Sequence, residues 1–227
     1  MLSQHSYIDS ILRRYGFDDA KPVSTPMDVN ICLTSAQSPS TTEEFAKMRN
    51  IQYHEAVGSL MYTSLGTHPD ITFAVQTVSR FSSKPGITHW EAVKQIFRYL
   101  KGTHDLWLTY SNSVKELEGY ADADGSMAED RKAISGYTFL VNGGAVSWSV
   151  KRQEIISLST TESKYVAAIH AAKEALWLCS LILSLFGIDI PTTTTLSGGQ
   201  SRPGQGHFCW PLTLALGHSG HHLESTV

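Results

Sequence analysis

The chain has 227 residues, 41% of them hydrophobic and 17% charged, with a formal net charge of −3; that is enough apolar material for one large packed domain or two small ones. The slight negative charge argues against tight nonspecific nucleic-acid binding, because neutralising phosphate needs clustered Lys and Arg, so any such role must rest on local patches. Three widely separated cysteines (Cys32, Cys179, Cys209) give no disulfide framework, no apolar run approaches the ~18 residues that span a bilayer, and MLSQHSYIDS lacks the regions of a signal peptide, so an intracellular, unsecreted chain with no membrane partner is expected.

Taken in order, residues 3–15 place Tyr7, Ile8, Ile11, Leu12 and Tyr15 on one face of a helix, with Gly16 as its stop and Arg13 and Arg14 in the last turn. Lys21 to Thr42, with Pro22, Pro26 and Pro39, reads as a linker or strapped loop. Residues 51–66 predict a helix through Tyr53, Val57, Leu60, Met61 and Leu65. His68-Pro69-Asp70 starts a second, lined by Ile71, Val75, Val78 and Phe81. Thr88-His89-Trp90-Glu91 predicts a capping box for a third helix ending at Gly102. Its apolar positions are Trp90, Val93, Ile96, Phe97 and Leu100, and Lys94, Arg98 and Lys101 form a basic edge that reads first as a solvated face. Leu106 to Tyr110 is expected to be a short strand at a domain boundary.

The most informative stretch runs from Gly119 to Leu185. Asp122 and Asp124 close a β-like run, and SGYTFLV and AVSWSV follow, joined by Asn142-Gly143-Gly144, a hairpin signal because Asn and Gly tolerate positive φ. Ser159-Thr160-Thr161-Glu162 is a capping box that sets Glu162 in the first turn of a helix. Along it Tyr165, Ile169, Ala172, Leu176, Cys179 and Leu183 recur at helical spacing, and a β-rich run, Thr192 to Leu196, comes after. A strand-end carboxylate and one at a helix N-terminus have the chemistry to converge on a divalent cation. Spacing alone favours the plainer reading, in which Glu162 only caps its helix and Asp122 is a turn acid.

The residues GYADAD, DRKAISGYTFLVNGGAVSWSVKRQ and LSTTES, with the Trp177-containing helix, resemble in order and spacing the ribonuclease H domain at the C-terminal end of the Pol polyprotein of copia-type LTR retrotransposons. QHSYIDSILRRYGFDDAKPVSTPMD is similar to the thumb region after the polymerase palm of that family. The resemblance implies a fold in two parts: a mainly helical thumb and connection region over 1–110, then an α/β, truncated ribonuclease H-like domain over 111–196, a mixed sheet with a packed helix. It implies cleavage of RNA in RNA–DNA hybrids, with Asp122 and Glu162 as catalytic ligands of Mg²⁺ or Mn²⁺ and Asp124 assisting. Lys151, Arg152, Ser159 and Thr161, together with the Lys94, Arg98 and Lys101 edge, would contact the hybrid. The remainder of a reverse transcriptase is an expected partner. Asp130 and Arg131 share the resemblance and read as loop anchors.

Departures from the pattern predict weak or absent activity. A third acid is expected after the strand that follows the long helix, but Ser197-Gly198-Gly199-Gln200 stands there. Asp189 lies at the wrong end of that strand, and the next acid is Glu224. Lys164 and Gly125 replace the residues usual at their positions. No palm hairpin with paired aspartates precedes Met1, so no polymerase activity is expected. Residues 197–227 carry six of the 17 glycines and four of the 10 histidines, no longer resemble the family, and read as an unrelated, disordered tail. His207, Cys209, His218, His221 and His222 fit no closed zinc spacing. Two alternatives stand beside the nuclease: a non-catalytic module that binds nucleic acid or a Pol-derived partner, and a decayed product without function.

Overall fold

The computed structural model describes residues 1–28, 30–111, 117–124 and 132–187, with the backbone alone of 193–197 and 212–215. Gly125, Asp130, Arg131, Asp189, Glu224 and the tail's cysteine and histidines lie outside the described residues. The chain divides into two compact units, Met1–Leu108 and Thr109–Val227.

The first unit is helical among its described residues. Helix α1 (His5–Tyr15) ends where Gly16 turns left-handed at φ 72°, a conformation that costs glycine nothing. It buries Ile8, Ile11 and Leu12. A second helix, α2 (Thr42–Met48), was not expected at the end of the Pro-containing stretch. Thr41 accepts from the Glu44 N–H, and Glu44 accepts in return from the Thr41 and Ser40 N–H groups. Those backbone bonds from Ser40 and Thr41 hold the Glu44 carboxyl below its ordinary range.

Helix α3 (Tyr53–Gly66) buries Tyr53, Ala56, Val57 and Leu60, while Met61 and Leu65, expected on the same face, are exposed. Thr63 and Ser64 take the inner positions in their place. Pro69–Ile71 forms a 3₁₀ turn ahead of α4 (Thr72–Ser79), and Ile71, Val75, Val78 and Phe81 are buried as expected. Helix α5 (Ile87–Thr103) starts one residue before Thr88. The His89 ring, rather than Thr88, takes up a free N–H: its Nδ1 accepts from Gly86 at 2.9 Å. Leu60, Val93, Ile96, Phe97 and Leu100 fill the common core. The loop from Lys21 is strapped onto α5 by Arg98 and Gln95, which donate to the carbonyls of Lys21 and Thr25 at 2.9 and 3.3 Å. In place of the strand expected over Leu106 to Tyr110, only the single bridge from Leu108 to Leu2 forms.

The second unit is a mixed α/β layer. Strands β1 (Glu118–Asp124), β2 (Ile134–Val141) and β3 (Gly144–Arg152) pair antiparallel, and β4 (Thr193–Ser197) lies parallel to β1. Within the segment read as a disordered tail, Leu212–Ala215 forms β5 against β4, giving the order β3-β2-β1-β4-β5. The hairpin turns at Asn142 and Gly143, both at positive φ (54° and 78°), as a two-residue primed turn requires.

Helix α6 (Thr160–Phe186) crosses between β3 and β4 and packs on β1 and β2. Its buried line is Ser163, Ala167, Ala171, Ala175 and Leu178, not the larger residues picked out by spacing; Tyr165, Ile169, Leu176 and Leu183 are exposed. Small residues let the helix backbone come close to the strands, where Leu117 and Phe139 fill the remaining space. By length and apolar composition this 27-residue helix is also long enough to cross a membrane, which the expectation had not counted. Its alanine line packs on the sheet, while most of its large apolar side chains, Trp177, Leu185 and Phe186 among them, are exposed.

Candidate functional site

Strand alternation decides where the acids point. Helix α6 covers the face of β1 and β2 that carries Leu117, Ala121, Tyr137 and Phe139. Tyr120, Asp122 and Asp124 therefore lie on the opposite face, where they are exposed. Asp122 stands across from Gly136 and Asp124 across from Ile134, and Ile134 in turn pairs with Arg152. The ends of β1 and β3 thus lie on either side of the start of β2, at one end of the sheet.

Gln153 brings the start of α6 to the same edge. Its buried Nε2 donates to the Ser135 hydroxyl at 2.7 Å and to the Ser163 carbonyl at 2.8 Å. One turn earlier, Ser159 Oγ accepts from the Glu162 N–H at 3.1 Å, and the Glu162 carboxylate accepts from the Leu158 N–H at 2.7 Å. Glu162 is a helix cap in this geometry. Asp122, Asp124 and Glu162 share an end of the unit, but among the described residues their ligand atoms do not gather within 4.8 Å of one another.

Hard carboxylate oxygens suit Mg²⁺. A two-metal hydrolytic centre, however, needs some three or four carboxylates around ions about 3.5–4 Å apart. The carboxylates on β1 and the engaged cap on α6 do not fit that requirement.

The predicted contact residues separate into three settings. Lys151 and Arg152 line a cavity of about 520 Å³ between the end of β3 and α6, together with Tyr137, Ser149, His170 and Lys173. Lys151 reaches Glu154 at 3.1 Å, and that bond holds the exposed Glu154 carboxyl below its usual range. Across the cavity Ser147 donates to Glu174 at 2.6 Å; burial and the Glu174 charge push the Tyr137 hydroxyl up. Ser159 and Thr161 are exposed at the helix start, Ser159 already used as the cap. Lys94, Arg98 and Lys101 belong to the other unit, where Lys94 pairs with Glu91 and Arg98 straps the loop. His170 and Lys173 were missed by sequence reasoning. Their spacing of three along a helix was the available signal.

These features define a mixed α/β unit with an acid-bearing central strand and a cavity lined by both basic and acidic side chains, preceded by a helical unit. The chain is 48% identical over 180 residues to the "Retrovirus-related Pol polyprotein from transposon TNT 1-94" of Nicotiana tabacum, a match covering 78% of this chain and 13% of that one. It is 44% identical over 133 residues, 58% of this chain, to "Secreted RxLR effector protein 161" of Plasmopara viticola, covering 94% of that protein. To the "Retrovirus-related Pol polyprotein from transposon RE2" of Arabidopsis thaliana it is 35% identical over 195 residues, 83% of this chain and 13% of the relative. The chain is a fragment of the retrovirus-related Pol polyprotein type found in transposons, and it spans about an eighth of the length of these two Pol polyproteins. No family model matches the sequence, and no solved structure matches it.

Proposed function

We propose that the second unit is a ribonuclease H-type domain of a copia-type Pol protein, with little or no cleavage of RNA in RNA–DNA hybrids, and that the first unit is the thumb and connection region of the reverse transcriptase. The observation that supports this reading is the topology. Strand β1 carries the acids at the centre of the order β3-β2-β1-β4-β5, parallel to β4, and the capped start of α6 comes to the end of the sheet where those acids lie. Asp122 and Glu162 stand at the positions that the resemblance gives to the metal ligands, but Glu162 is engaged as a cap and, among the described residues, the acids do not gather. With no acid in Ser197-Gly198-Gly199-Gln200, too few oxygens remain to hold two cations, so no strong nuclease is expected.

The basic side chains of the cavity, which Glu154 and Glu174 also line, favour a second reading, a module that binds hybrids without cutting them. Lys151, Arg152 and Lys173 line one opening there and suit backbone phosphate more than bases.

The test incubates the full chain with a labelled RNA–DNA hybrid in Mg²⁺ and in Mn²⁺, beside Asp122→Asn. The expected result is no cleavage above the variant's background from a cooperatively folded sample. Strong cleavage abolished by Asp122→Asn would keep the site and overturn the loss of activity. Strong cleavage that survives the substitution would overturn the assignment of the site itself.

A further inference from the structure

Away from the acids of the second unit, the start of α1 meets the end of α5 in the first unit. Three side chains there converge: His5, His104 and Asp105 present ligand atoms that all lie within 4.8 Å of one another. Asp105 Oδ1 is 3.2 Å from His5 Nδ1 and 3.0 Å from His104 Nδ1. Ligands held about 2.0–2.2 Å from a tetrahedral zinc ion stand roughly 3.3 Å apart, so the observed separations suit a cation between them. Two imidazoles and one carboxylate are a donor set that borderline divalent transition metals take, leaving a position for solvent.

Two further contacts point the same way. His5 Nε2 lies 3.4 Å from Asp9 Oδ2, one helical turn on. A proton on Nε2 directed at that carboxylate leaves the Nδ1 lone pair facing the cluster, the arrangement metal-bound histidines adopt. His104 Nδ1, for its part, is buried and makes no hydrogen bond, although the Asp105 oxygen is close. A proton on His5 Nδ1 would satisfy Asp105 and the nearby His104 carbonyl at 3.3 Å, but it would leave His104 Nδ1 orphaned. A cation serves all three ligand atoms.

We propose that His5, His104 and Asp105 form a zinc-type site, with Asp9 orienting His5, that ties the N-terminal helix of the first unit to the end of its longest helix. The site is independent of the ribonuclease H-type reading and involves no catalytic step. A thiol-free, partly exposed site of this kind binds the ion reversibly, and its effect is on the stability of the first unit.

The experiment titrates ZnCl₂ into the full chain carrying Ala at His207, Cys209, His218, His221 and His222, so that the tail contributes no ligands. Binding is read by calorimetry and by the shift in melting temperature. One zinc per chain is expected. His5→Gln, His104→Gln and Asp105→Asn should each weaken it at least about 100-fold and remove the thermal shift. Asp9→Asn should weaken it about 10-fold, as loss of an outer-shell carboxylate does. His54→Gln, at an exposed position on α3, should change nothing. All three ligand positions are at least partly exposed, and unchanged circular dichroism checks that each variant folds. No zinc bound, or zinc held equally by the three ligand variants, would overturn the site.

Discussion

His89 shows how one side chain can carry both a cap and a pH dependence. It is fully buried and stacked on Phe81, with ring centroids 4.0 Å apart and planes 7° from parallel. Its Nδ1 accepts the Gly86 N–H, so in the neutral ring Nε2 carries the proton, directed at the Thr34 carbonyl 3.1 Å away. Burial lowers the pKa of the ring, and the bond to Thr34 opposes that only in part. The unfolded chain therefore binds a proton that the folded chain rejects, and stability falls as pH drops below the ordinary histidine value of about 6.5. Asp70 behaves differently. Burial would raise its pKa, but hydrogen bonds from His68 and Tyr99 and the His68 charge hold it low, so its contribution is present above the usual carboxylate range and goes only as pH falls through that lowered value. Melting followed by far-ultraviolet ellipticity should show a decline between about pH 7 and pH 5 that His89→Asn flattens. The variant should also cost about 1–2 kcal/mol at neutral pH through the weakened cap. An unchanged slope in the variant would mean that another group carries the dependence.

At the scale of elements, α6 separates size from burial. Hydrophobic spacing selects Tyr165, Ile169 and Leu176, yet the strands accept Ala167, Ala171 and Ala175, because a helix lies closest to a sheet where its side chains are small. Ala171 is fully buried and Leu176 about half exposed. Ala171→Leu should overpack the interface and destabilise the second unit by about 1–3 kcal/mol, whereas Leu176→Ala should cost less than about 0.5 kcal/mol. Chemical denaturation of both variants measures this, and a reversed order would restore the face read from spacing. What was legible in the sequence had a local cause: the positive φ of Asn142 and Gly143, the stop at Gly16, and the cap of Ser159 with Glu162. Features set by tertiary contact were not. The start of α5 depends on a His ring reaching back to Gly86, and the cavity needs β3 and α6 together before Lys151 and Lys173 face one opening. Helix α2 was legible in principle, since Thr41 and Glu44 have capping-box spacing, but the prolines around them dominated the reading. Order along the chain pointed to the acids of the candidate site, but only the family resemblance favoured them as ligands; their failure to gather followed from strand alternation and from the hydrogen bond that engages Glu162.

For the whole molecule, 18 basic against 21 acidic side chains leave no general attraction to nucleic acid, so hybrid binding has to come from a few cations acting together. The cavity supplies Lys151, Arg152 and Lys173 from two different elements, on the α6 side of the sheet; the acids of β1 lie toward the same strand end but on the other face. Each phosphate neutralised releases about 0.9 of a counterion from a duplex, so three contacts give a log–log salt slope of about −2 to −3. Glu154 competes for Lys151, so the lower end of that range is expected. Binding of the full chain to a labelled hybrid, measured without divalent cation from low to moderate salt, should follow this slope. Lys151→Gln combined with Lys173→Gln should flatten it by about one to two, weakening affinity most at low salt and least at high salt. The alternative surface is the edge of α5 formed by Lys94, Arg98 and Lys101, where Lys94 is paired with Glu91 and Arg98 is held by the strapped loop. A slope unmoved by the double variant but flattened by Lys101→Gln would transfer the contact to that helix and leave the cavity without a role in binding.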